Sequence, residues 1–384
     1  MREIAKVVWH WRSLVPQIIS DYRFHKLVRG LPTAALHRFA EQLRLLWSNR
    51  ITAKDYYKFG LFDRSMPLAS KRSYVGEFQP WKILAPVNAR QFHDLTDNKL
   101  RFHAYAAEAG LPIADKLATV SVSDSGLRVP DLNTETELGT WLTENAIADV
   151  FLKPVEGLMG TGVLSLGERI DGQDCWRSLP GGETIDVAGI WAHCTRQRRH
   201  GGMIVERRLR PHPDLARVMP NVLHTVRVVT YLEPEPTIVD AVLRVGRGNA
   251  AADNMHAGGI AVPIDLATGQ CGQGTLIVDG RPQFIDAHPL TGHRITGMFL
   301  PDWPQVLALS SAAARKFDIQ KSLGWDIGLT DAGPMLVEGN WRYDVGLHQV
   351  ARRQGILDTP WVRVFNREGA YRNLSLGFFN RPRA

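Results

Sequence analysis

The first part of the chain carries apolar side chains at helical spacing. In LPTAALHRFAEQLRLLWSNR (residues 31–50), apolar residues recur at three- and four-residue steps, as one buried stripe on an α-helix requires. The stripe comprises Leu36, Phe39, Ala40, Leu43, Leu46 and Trp47. We therefore predict a helical region over residues 1–60. The aromatic run VVWHWRSLV within it fits a helix that faces either a core or a membrane surface.

Beyond residue 61 the pattern predicts shorter elements. The stretch TDNKLRFHAYAAEAGLPIAD predicts a helix that is capped by Thr96 or Asp97 and ends at Gly110. Short strands are predicted in KLATVSV, DVFLKPV, GVLSL and MIVERRL, with a helix near GETIDVAGIWAHC. A second strand-rich region starts at about residue 221, where LHTVRVVTYL and TIVDAVLRVG flank EPEP like a hairpin and GGIAVPIDLATGQ follows. The stretch PDWPQVLALSSAAARKFD then predicts a helix capped by Asp302.

Length and composition indicate an ordinary globular protein with more than one core. The 384 residues exceed a usual domain of about 100–200 residues. No apolar run approaches the roughly 18 residues that cross a bilayer, so we expect a cytoplasmic protein without a transmembrane segment. Three cysteines, Cys175, Cys194 and Cys271, lack the paired spacing of a zinc site or of a disulfide framework.

Positive charge is concentrated near the N-terminus. The chain has a formal charge of +7, and residues 1–60 hold eleven Lys or Arg against four Asp or Glu. Such an excess favours nucleic acid, anionic lipid in a peripheral membrane contact or a phosphorylated substrate as a partner, and the simpler interpretation is a solvated basic helical face. The absence of a dense basic run and of a nucleic-acid motif predicts no nucleic-acid partner.

The stretch GWDIGLTDAGPMLVEGN (residues 324–340) places oxygen donors in strand-like runs around a turn. If Thr330 pairs with Pro334 across a three-residue loop, Asp326 lies opposite Glu338, and Asn340 shares the face of Glu338. Opposed carboxylates repel, and a divalent ion removes that conflict. Asp, Glu and an amide oxygen suit Mg²⁺. The alternative is a solvent-facing edge that carries two acids by coincidence.

The stretch DVFLKPVEGLMGTGVLSL combines a lysine with a glycine-rich loop between two strands. Lys153 ends the first strand, and Gly157, Gly160 and Gly162 follow. Glycines let backbone N–H groups approach an anion, and lysine adds a compact cation. Neither a Walker loop nor a dinucleotide fingerprint fits this order. The pattern favours a flap over a triphosphate, with a plain hairpin as the alternative.

These motifs together resemble the ATP-grasp superfamily. DNKLRFHAYAAEAGLP, LKPVEGLMGTGV, IVERRL and WDIGLTDAGPMLVEGN occur in the order of that superfamily. HTVRVVTYL, VLRVGRG, DNMHAGGIAVPID and the upstream DYYKFGLFD look like its sugar-transfer-associated branch. The similarity covers roughly residues 55–350. It implies an α+β fold in which two subdomains clasp ATP, and it is here combined with an N-terminal helical region.

The resemblance also implies domain boundaries and site residues. Residues 61–115 would precede the ATP-grasp core, residues 116–210 would form its small subdomain, and residues 211–384 would form its large subdomain. Lys99 and Lys153 would contact the α- and β-phosphates, and residues 157–162 would close over them. The remaining nucleotide contacts would be Glu206 with the adenine amino group, Asp214 with the ribose, and Asn254 in a loop lining the cleft. Mg²⁺, with two ions expected, would bind Asp326, Glu338 and Asn340.

Each nucleotide contact has an alternative that involves no ligand. Lys99 fits a solvated helix lysine, Glu206 fits an ion pair with Arg208, and Asp214 fits the cap of a turn.

Two arginines are expected to act at the far end of the nucleotide. With EPEP as a four-residue loop, Leu232 pairs with Thr237, Arg227 lies opposite Val242, and Arg244 shares its face. Two guanidinium groups on one sheet face would clamp a γ-phosphate or a substrate carboxylate. The alternative is a set of surface salt bridges with acids such as Asp240.

The family implies a ligase that activates a small-molecule carboxylate as an acyl phosphate and joins it to an amine, in polysaccharide or natural-product biosynthesis. One departure bears on the acceptor. Ligases acting on amino acids often continue after the metal-binding Asn with a Pro-Gly turn and a serine, whereas this chain reads WRYDVGLHQVARRQG. A small-molecule or sugar kinase with the same ATP site therefore stays open, as does a non-catalytic nucleotide-binding partner in polysaccharide assembly.

Overall fold

The chain divides into two compact units in a computed structural model. One unit comes from residues 1–87, 277–283 and 344–384, and the other from residues 88–276 and 284–343. The structure describes residues 19, 20, 23, 32–77, 84, 87–122, 125–145, 147, 149–157, 160–170, 173–179, 181–248 and 258–361. Asn254 lies outside these residues.

The described part of the first unit is mainly helical, apart from residues 277–283, which belong to two strands of a sheet and the turn between them. Its helices are α1 (Pro32–Asn49), α2 (Ala53–Lys58), α3 (Leu68–Lys71) and, late in the chain, α10 (Val345–Arg352). The helix predicted over residues 31–50 is present as α1, but its buried face differs from the predicted stripe. Gln42, Leu45 and Leu46 are buried, whereas Ala40 and Trp47 are exposed. The Gln42 side chain donates to the carbonyl of Ile51 over 2.9 Å, so a polar residue closes the turn into α2.

The second unit begins with two helices that position a lysine. They are α4 (Asp94–Asp97) and α5 (Lys99–Glu108). The predicted caps, Thr96 and Asp97, are wrong for α5, because Asn98 is its N-cap and accepts hydrogen bonds from the backbone of Leu100 and Arg101. Lys99 therefore stands in the first turn of α5, and this helix packs against the last strand of the second sheet.

A first seven-stranded sheet follows. Its strands are β1 (Lys116–Val120), β2 (Asp131–Leu132), β3 (Val150–Pro154), β4 (Leu164–Arg169), β5 (Cys175–Leu179), β6 (Thr184–Asp186) and β7 (Met203–Arg207). The spatial order is β2-β1-β7-β3-β4-β5-β6, antiparallel except for the β1–β2 pair. Two helices, α6 (Glu135–Glu144) and α7 (Val187–Arg196), share one apolar core with its strands through Leu138, Ile190 and Cys194.

A second seven-stranded sheet carries the other half of the site. After a short helix α8 (Pro213–Ala216), its strands are β8 (Thr225–Leu232), β9 (Pro236–Val245), β10 (Ile260–Pro263), β11 (Gly274–Val278), β12 (Arg281–Ile285), β13 (Ser322–Thr330) and β14 (Gly333–Asn340). Their order is β12-β11-β10-β9-β8-β13-β14. Helix α9 (Trp303–Lys316) packs on β8, β9 and β13. Mixed helices and two sheets confirm the predicted α+β class.

Both hairpins at the site close more tightly than the sequence predicted. Thr330 pairs with Gly333, not with Pro334, and Leu232 pairs with Pro236, not with Thr237. A β-bulge then adds one residue to each hairpin, with register shifts between Asp326 and Ile327 and between Val229 and Thr230. The two errors cancel. Asp326 still lies opposite Glu338, and Arg227 opposite Val242.

Among the described residues, no helix combines the length and the apolar character needed to cross a membrane.

Candidate functional site

A cleft in the second unit gathers most of the predicted site residues. Its walls come from β3 and β7 of the first sheet, from β8, β9, β13 and β14 of the second, and from the glycine-rich loop after β3. Ten predicted residues line it: Lys99, Lys153, Gly157, Gly160, Glu206, Arg227, Arg244, Asp326, Glu338 and Asn340. A concave site with a few convergent polar groups is the usual form of a small-molecule site.

Two predicted residues do not line the cleft. Gly162 lies at the far end of the glycine-rich loop with φ +74°, where its carbonyl accepts a hydrogen bond from His193 Nε2 over 2.9 Å. Asp214 is exposed on α8, with Arg217 Nη1 3.8 Å from its carboxylate. The ribose contact of Asp214 therefore has no support from the cleft, and the role of Asn254 stays a prediction.

Adjacent strands place an acid between two arginines at the centre of the cleft. Arg227 on β8 lies opposite Asp326 on β13. Arg244, on the neighbouring strand β9, lies opposite Thr225, which precedes Arg227 by two residues on β8. Arg227 donates to Asp326 from Nε and, over 2.9 Å, from Nη2. Arg244 Nη2 donates to Asp326 Oδ2 over 2.8 Å. Burial alone would raise the pKa of Asp326, but the two guanidinium groups outweigh burial and hold the pKa below its ordinary value.

The two arginines explain why a buried strand carries Asp326. From the sequence alone, a divalent ion is expected to relieve repulsion between Asp326 and Glu338. In the structure the two arginines already neutralise Asp326, so that repulsion is largely removed without a metal.

Glu338 and Asn340 are the donors that remain for a cation. The Glu338 carboxylate makes no hydrogen bond or ion pair with any described residue. Its charge raises the pKa of Lys99, but burial has the larger effect and lowers that pKa. Asn340 Nδ2 is buried without a hydrogen-bond partner among the described residues. The unmet Nδ2 is a hydrogen-bond donor and fits an acceptor such as a phosphate oxygen, whereas Asn340 Oδ1 is the atom that would bind a cation.

The donor set suits Mg²⁺ better than a transition metal. In the described part of the chain no group of three or more His, Cys, Asp or Glu side chains is placed to hold a metal ion. Two carboxylates and an amide form a sparse oxygen set, which fits an ion that retains waters and shares its coordination with phosphates. Because Asp326 already accepts from two arginines, Glu338 and Asn340 are the residues that would hold the ion first.

The first lysine is tied to the glycine-rich loop. Lys99 Nζ donates to the carbonyl of Gly157 over 2.9 Å, and the Lys99 amide donates to the carbonyl of Val155 over 3.2 Å.

At Gly162 a Cβ atom would lie 2.7 Å from the Gln197 side chain, at a positive φ that L-residues rarely adopt. The loop therefore requires glycine there, and α7 holds it from one side.

The second lysine belongs to a buried charged cluster that the sequence argument missed. Lys153 Nζ and Lys116 Nζ each lie 2.7 Å from Glu206 Oε1, and His103 Nε2 lies 3.0 Å from the same oxygen. Charge attraction joins Glu206 to the two lysines, and His103 Nε2 also lies 3.1 Å from Lys153 Nζ. The alternative pairing of Glu206 with Arg208 does not form, because Arg208 donates to Asp149.

The cluster sets the protonation of its members. Burial would raise the pKa of Glu206, but the lysines hold it well below the ordinary value. Burial and, next, the charge of Lys153 lower the pKa of His103 to about 3, so its imidazole is neutral near pH 7. Burial lowers the pKa of Lys116 to about 8, against the opposing effect of Glu206. One sequence signal existed, since His103 is four residues after Lys99 and so lies on the same face of a helix, whereas the pairing of Lys116 with Glu206 depends on strand register.

Comparisons with known proteins give a family and weak structural similarities. The family model described as sugar-transfer associated ATP-grasp matches residues 82–362. No curated protein matches the chain.

The solved structures that match share low identity with the chain. An ADP complex of N5-carboxyaminoimidazole ribonucleotide synthetase is 12% identical over 72% of this chain and 55% of that one, with a TM-score of 0.39. D-alanyl-alanine synthetase A from Vibrio cholerae is 9% identical over 73% and 66%, with a TM-score of 0.40. A D-Ala:D-Ser ligase from Enterococcus faecalis is 11% identical over 72% and 61%, also with a TM-score of 0.40. The chain thus spans between about half and two thirds of these proteins.

Such weak structural similarities identify no activity, and the family rests on the sequence model. That model covers well over half of the chain and includes all the residues that line the cleft. The chain belongs to the sugar-transfer associated ATP-grasp family.

Proposed function

We propose that the chain is an ATP- and Mg²⁺-dependent ligase, which activates a substrate carboxylate as an acyl phosphate and joins it to an amine. One observation carries the proposal. A single cleft brings together two buried lysines, a glycine-rich loop, an Arg–Asp–Arg cluster, the Glu338 carboxylate and the Asn340 amide. Phosphoryl transfer depends mainly on positioning and charge neutralisation, and these are the groups that such a transfer requires.

Lys99 and Lys153 are proposed to bind the nucleotide phosphates. Both side chains are less than a tenth exposed, and burial lowers the pKa of Lys99. A phosphate beside Lys99 would favour its charged form and offset that effect. The backbone of residues 157–162 would cover the same phosphates, with Gly160 and Gly162 both at positive φ.

Glu338 and Asn340, with Asp326 beside them, are proposed to hold Mg²⁺. When bound, the ion would neutralise charge on the terminal phosphates of ATP. The chain would supply one carboxylate oxygen and one amide oxygen from neighbouring positions on one strand, both facing the cleft.

Arg227 and Arg244 are proposed to orient the transferred phosphoryl group and the attacking carboxylate. Each guanidinium has five N–H donors, and Arg227 uses Nε and Nη2 on Asp326. Its Nη1 is left for a second oxyanion. A carboxylate oxygen would attack the γ-phosphorus as the bond to the β-phosphate oxygen breaks, releasing ADP. An amine would then attack the acyl carbon, releasing phosphate and losing a proton to solvent.

A kinase with a hydroxyl acceptor is the second candidate, and the segment after Asn340 favours keeping it. Trp341 stacks on His93 with ring centroids 3.4 Å apart and donates to Asp97 over 3.0 Å. The Tyr343 hydroxyl bonds to Ser322 over 2.8 Å. These contacts occupy the polar groups of Trp341 and Tyr343, so neither residue replaces the serine that ligases acting on amino acids often carry in this segment.

The fate of the γ-phosphate tests the proposal. The chain is incubated with Mg²⁺, γ-³²P-labelled ATP and a panel of carboxylate and amine pairs, and the products are separated. Free labelled phosphate formed together with an amide supports the ligase. Label retained on a stable phosphate ester assigns the kinase. ATP binding without turnover, under any acceptor tested, assigns a non-catalytic nucleotide-binding partner.

A further inference from the structure

The first unit contains a polar cavity that the proposed ligase chemistry does not use. It has a volume of about 250 Å³ and lies between α1, α3 and the loop that joins α2 to α3. Its lining residues are His37, Arg38, Glu41, Tyr56, Phe62, Arg64, Met66 and Lys71. All of them precede residue 82, where the match to the ATP-grasp family begins.

Cations outnumber acids on the wall of this cavity. Arg38 comes from α1, Arg64 from the loop and Lys71 from α3, whereas Glu41 is the only acid among the described lining residues. Glu41 is already satisfied: one oxygen accepts from Lys71 Nζ over 2.8 Å and the other from the Tyr56 hydroxyl. The lysine charge is therefore neutralised, and two arginines remain.

The acid next to Arg64 in sequence does not neutralise these arginines. Asp63 precedes Arg64 in the chain but does not line the cavity. Its Oδ1 accepts from the amide and the hydroxyl of Ser65, both over 2.8 Å. No ion pair joins Asp63 to Arg38 or Arg64 within the described residues. The cavity thus keeps a net positive charge.

The cavity lacks hydrogen-bond acceptors for the buried donors of Arg38. Its Nε and Nη1 atoms are buried, and neither has a hydrogen-bond partner among the described residues. Buried donors without acceptors cost free energy, and charged donors cost more than neutral ones. An oxyanion in the cavity would supply the missing acceptors.

We propose that this cavity binds the phosphoryl group of a phosphorylated ligand. Its two uncompensated arginines come from separate segments, Arg38 from α1 and Arg64 from the loop, which suits a tetrahedral oxyanion better than a planar carboxylate held by one arginine. Arginine forks bind phosphate with charge-assisted hydrogen bonds. Phe62 and Met66 provide an apolar wall against which the rest of the ligand packs.

Titration calorimetry with inorganic phosphate, at constant ionic strength, tests this site. Wild type is compared with R64Q, R38Q and the control R44Q, and circular dichroism verifies folding. Arg64 and Arg44 are both exposed, so neither substitution removes a buried group, and Arg44 lies on α1 outside the cavity. We expect R64Q and R38Q to weaken phosphate binding at least tenfold and R44Q to leave it unchanged.

Two outcomes overturn the proposal. One is the absence of phosphate binding to wild type. The other is equal binding by wild type and folded R64Q, which would place bound phosphate elsewhere, for example in the ATP cleft. A failed ATP assay leaves this test unaffected, since the probe is phosphate alone.

Vesicles distinguish a soluble ligand from a lipid. Sedimentation with phosphatidic acid vesicles that R64Q abolishes, and that phosphatidylcholine vesicles do not support, identifies a lipid headgroup as the source of the phosphoryl group. Calorimetric binding that depends on Arg64, without such sedimentation, identifies a soluble phosphorylated compound. Both results support the phosphoryl site.

Discussion

Asp326 balances two guanidinium groups at the centre of the cleft. Its carboxylate accepts from Arg227 and Arg244, and the three side chains are almost completely buried, with exposed fractions of 5%, 8% and 11%. Removing one partner from such a cluster leaves buried charge without compensation. At the residue scale, Asp326 therefore has a stabilising role that is separate from any contact with a metal.

The substitution D326N should lower the free energy of unfolding by about 3–5 kcal/mol, because two arginines would lose their counter-charge. Denaturation in urea, monitored by circular dichroism, measures the change. The substitution E338Q serves as the control, since Glu338 makes no described ion pair, and it should change stability by no more than about 0.5 kcal/mol. Equal effects of the two substitutions would contradict the structural role of Asp326.

The pH dependence of this stabilisation has a defined sign. The folded-state pKa of Asp326 lies below its ordinary value of 3.8. The stabilising contribution is therefore complete above about pH 4 and is lost as the pH falls through the folded-state pKa. The difference in stability between wild type and D326N should be constant near pH 7 and should shrink in acid.

The sequence predicts which side chains meet in the cleft where those side chains lie on strands with a clear alternating pattern. The acids, the amide and the arginines fall on predicted strands, and their alternation carries them to one cleft. The partners of Glu206 were not predictable in this way. Lys116, Lys153 and His103 meet it from β1, β3 and α5, so their contact depends on strand order and helix packing.

At the element scale, α7 holds the glycine-rich loop. His193 donates to the carbonyl of Gly162, and Gln197 packs against the position that a Gly162 side chain would occupy. A loop held in its binding conformation loses less conformational freedom when it closes over phosphate. His193 is thus proposed as a positioning residue for the loop.

The substitution H193A should weaken ATP binding about 2- to 10-fold, which is the effect of losing one ordinary hydrogen bond. Titration calorimetry measures the dissociation constant, and T195A on the same helix provides the control. The Thr195 hydroxyl donates to the carbonyl of Ala192 within α7, so T195A should bind ATP as wild type does. Unchanged affinity in H193A would remove the proposed role.

The N-terminus of α2 contains a buried acid that titrates near neutrality. Asp55 forms a capping box with Thr52, accepting from its amide over 3.0 Å and from its hydroxyl over 2.9 Å. Burial and, secondarily, the charge of Glu77 raise the pKa of Asp55 to about 7. Because the folded-state pKa is raised, this group contributes most stability below about pH 4 and loses it as the pH rises through 7.

The substitution D55N should flatten the pH dependence of stability, because an amide keeps an acceptor for Thr52 but does not ionise. The thermal unfolding midpoint is measured for wild type and D55N from pH 5 to 8. We expect the midpoint of wild type to fall relative to that of D55N across this range. A constant difference between the two proteins would show that Asp55 does not titrate there.

The sequence predicts helices and strands well where their apolar periodicity is strong. It predicts strand register poorly where a β-bulge shifts the pairing. Helices α1 and α9 and strands β3, β8 and β13 follow apolar patterns that the sequence displays. Helix α6 was missed, although Thr134 and Glu137 form the capping box that marks its start. The two β-bulges have no sequence signal in their hairpins, and their effect on register became visible only in the structure.

At the scale of the whole molecule, the two units carry different chemistry. The second unit contains the cleft, and the family match covers all the residues that line it. The first unit contains a cationic cavity upstream of that match. The positive charge of the N-terminal region, for which the sequence left a solvated face, an anionic lipid surface and a phosphorylated substrate open, contributes Arg38 to this cavity.

The central claim is that a cation held by Glu338 and Asn340 binds the terminal phosphates of ATP in the cleft. Titration calorimetry of ATP binding, with Mg²⁺ and with EDTA, to wild type and to E338Q tests it most directly. We predict that Mg²⁺ tightens ATP binding to wild type at least tenfold and that folded E338Q loses this gain while binding metal-free ATP normally. Equal tightening of ATP binding by Mg²⁺ in wild type and E338Q would contradict the claim.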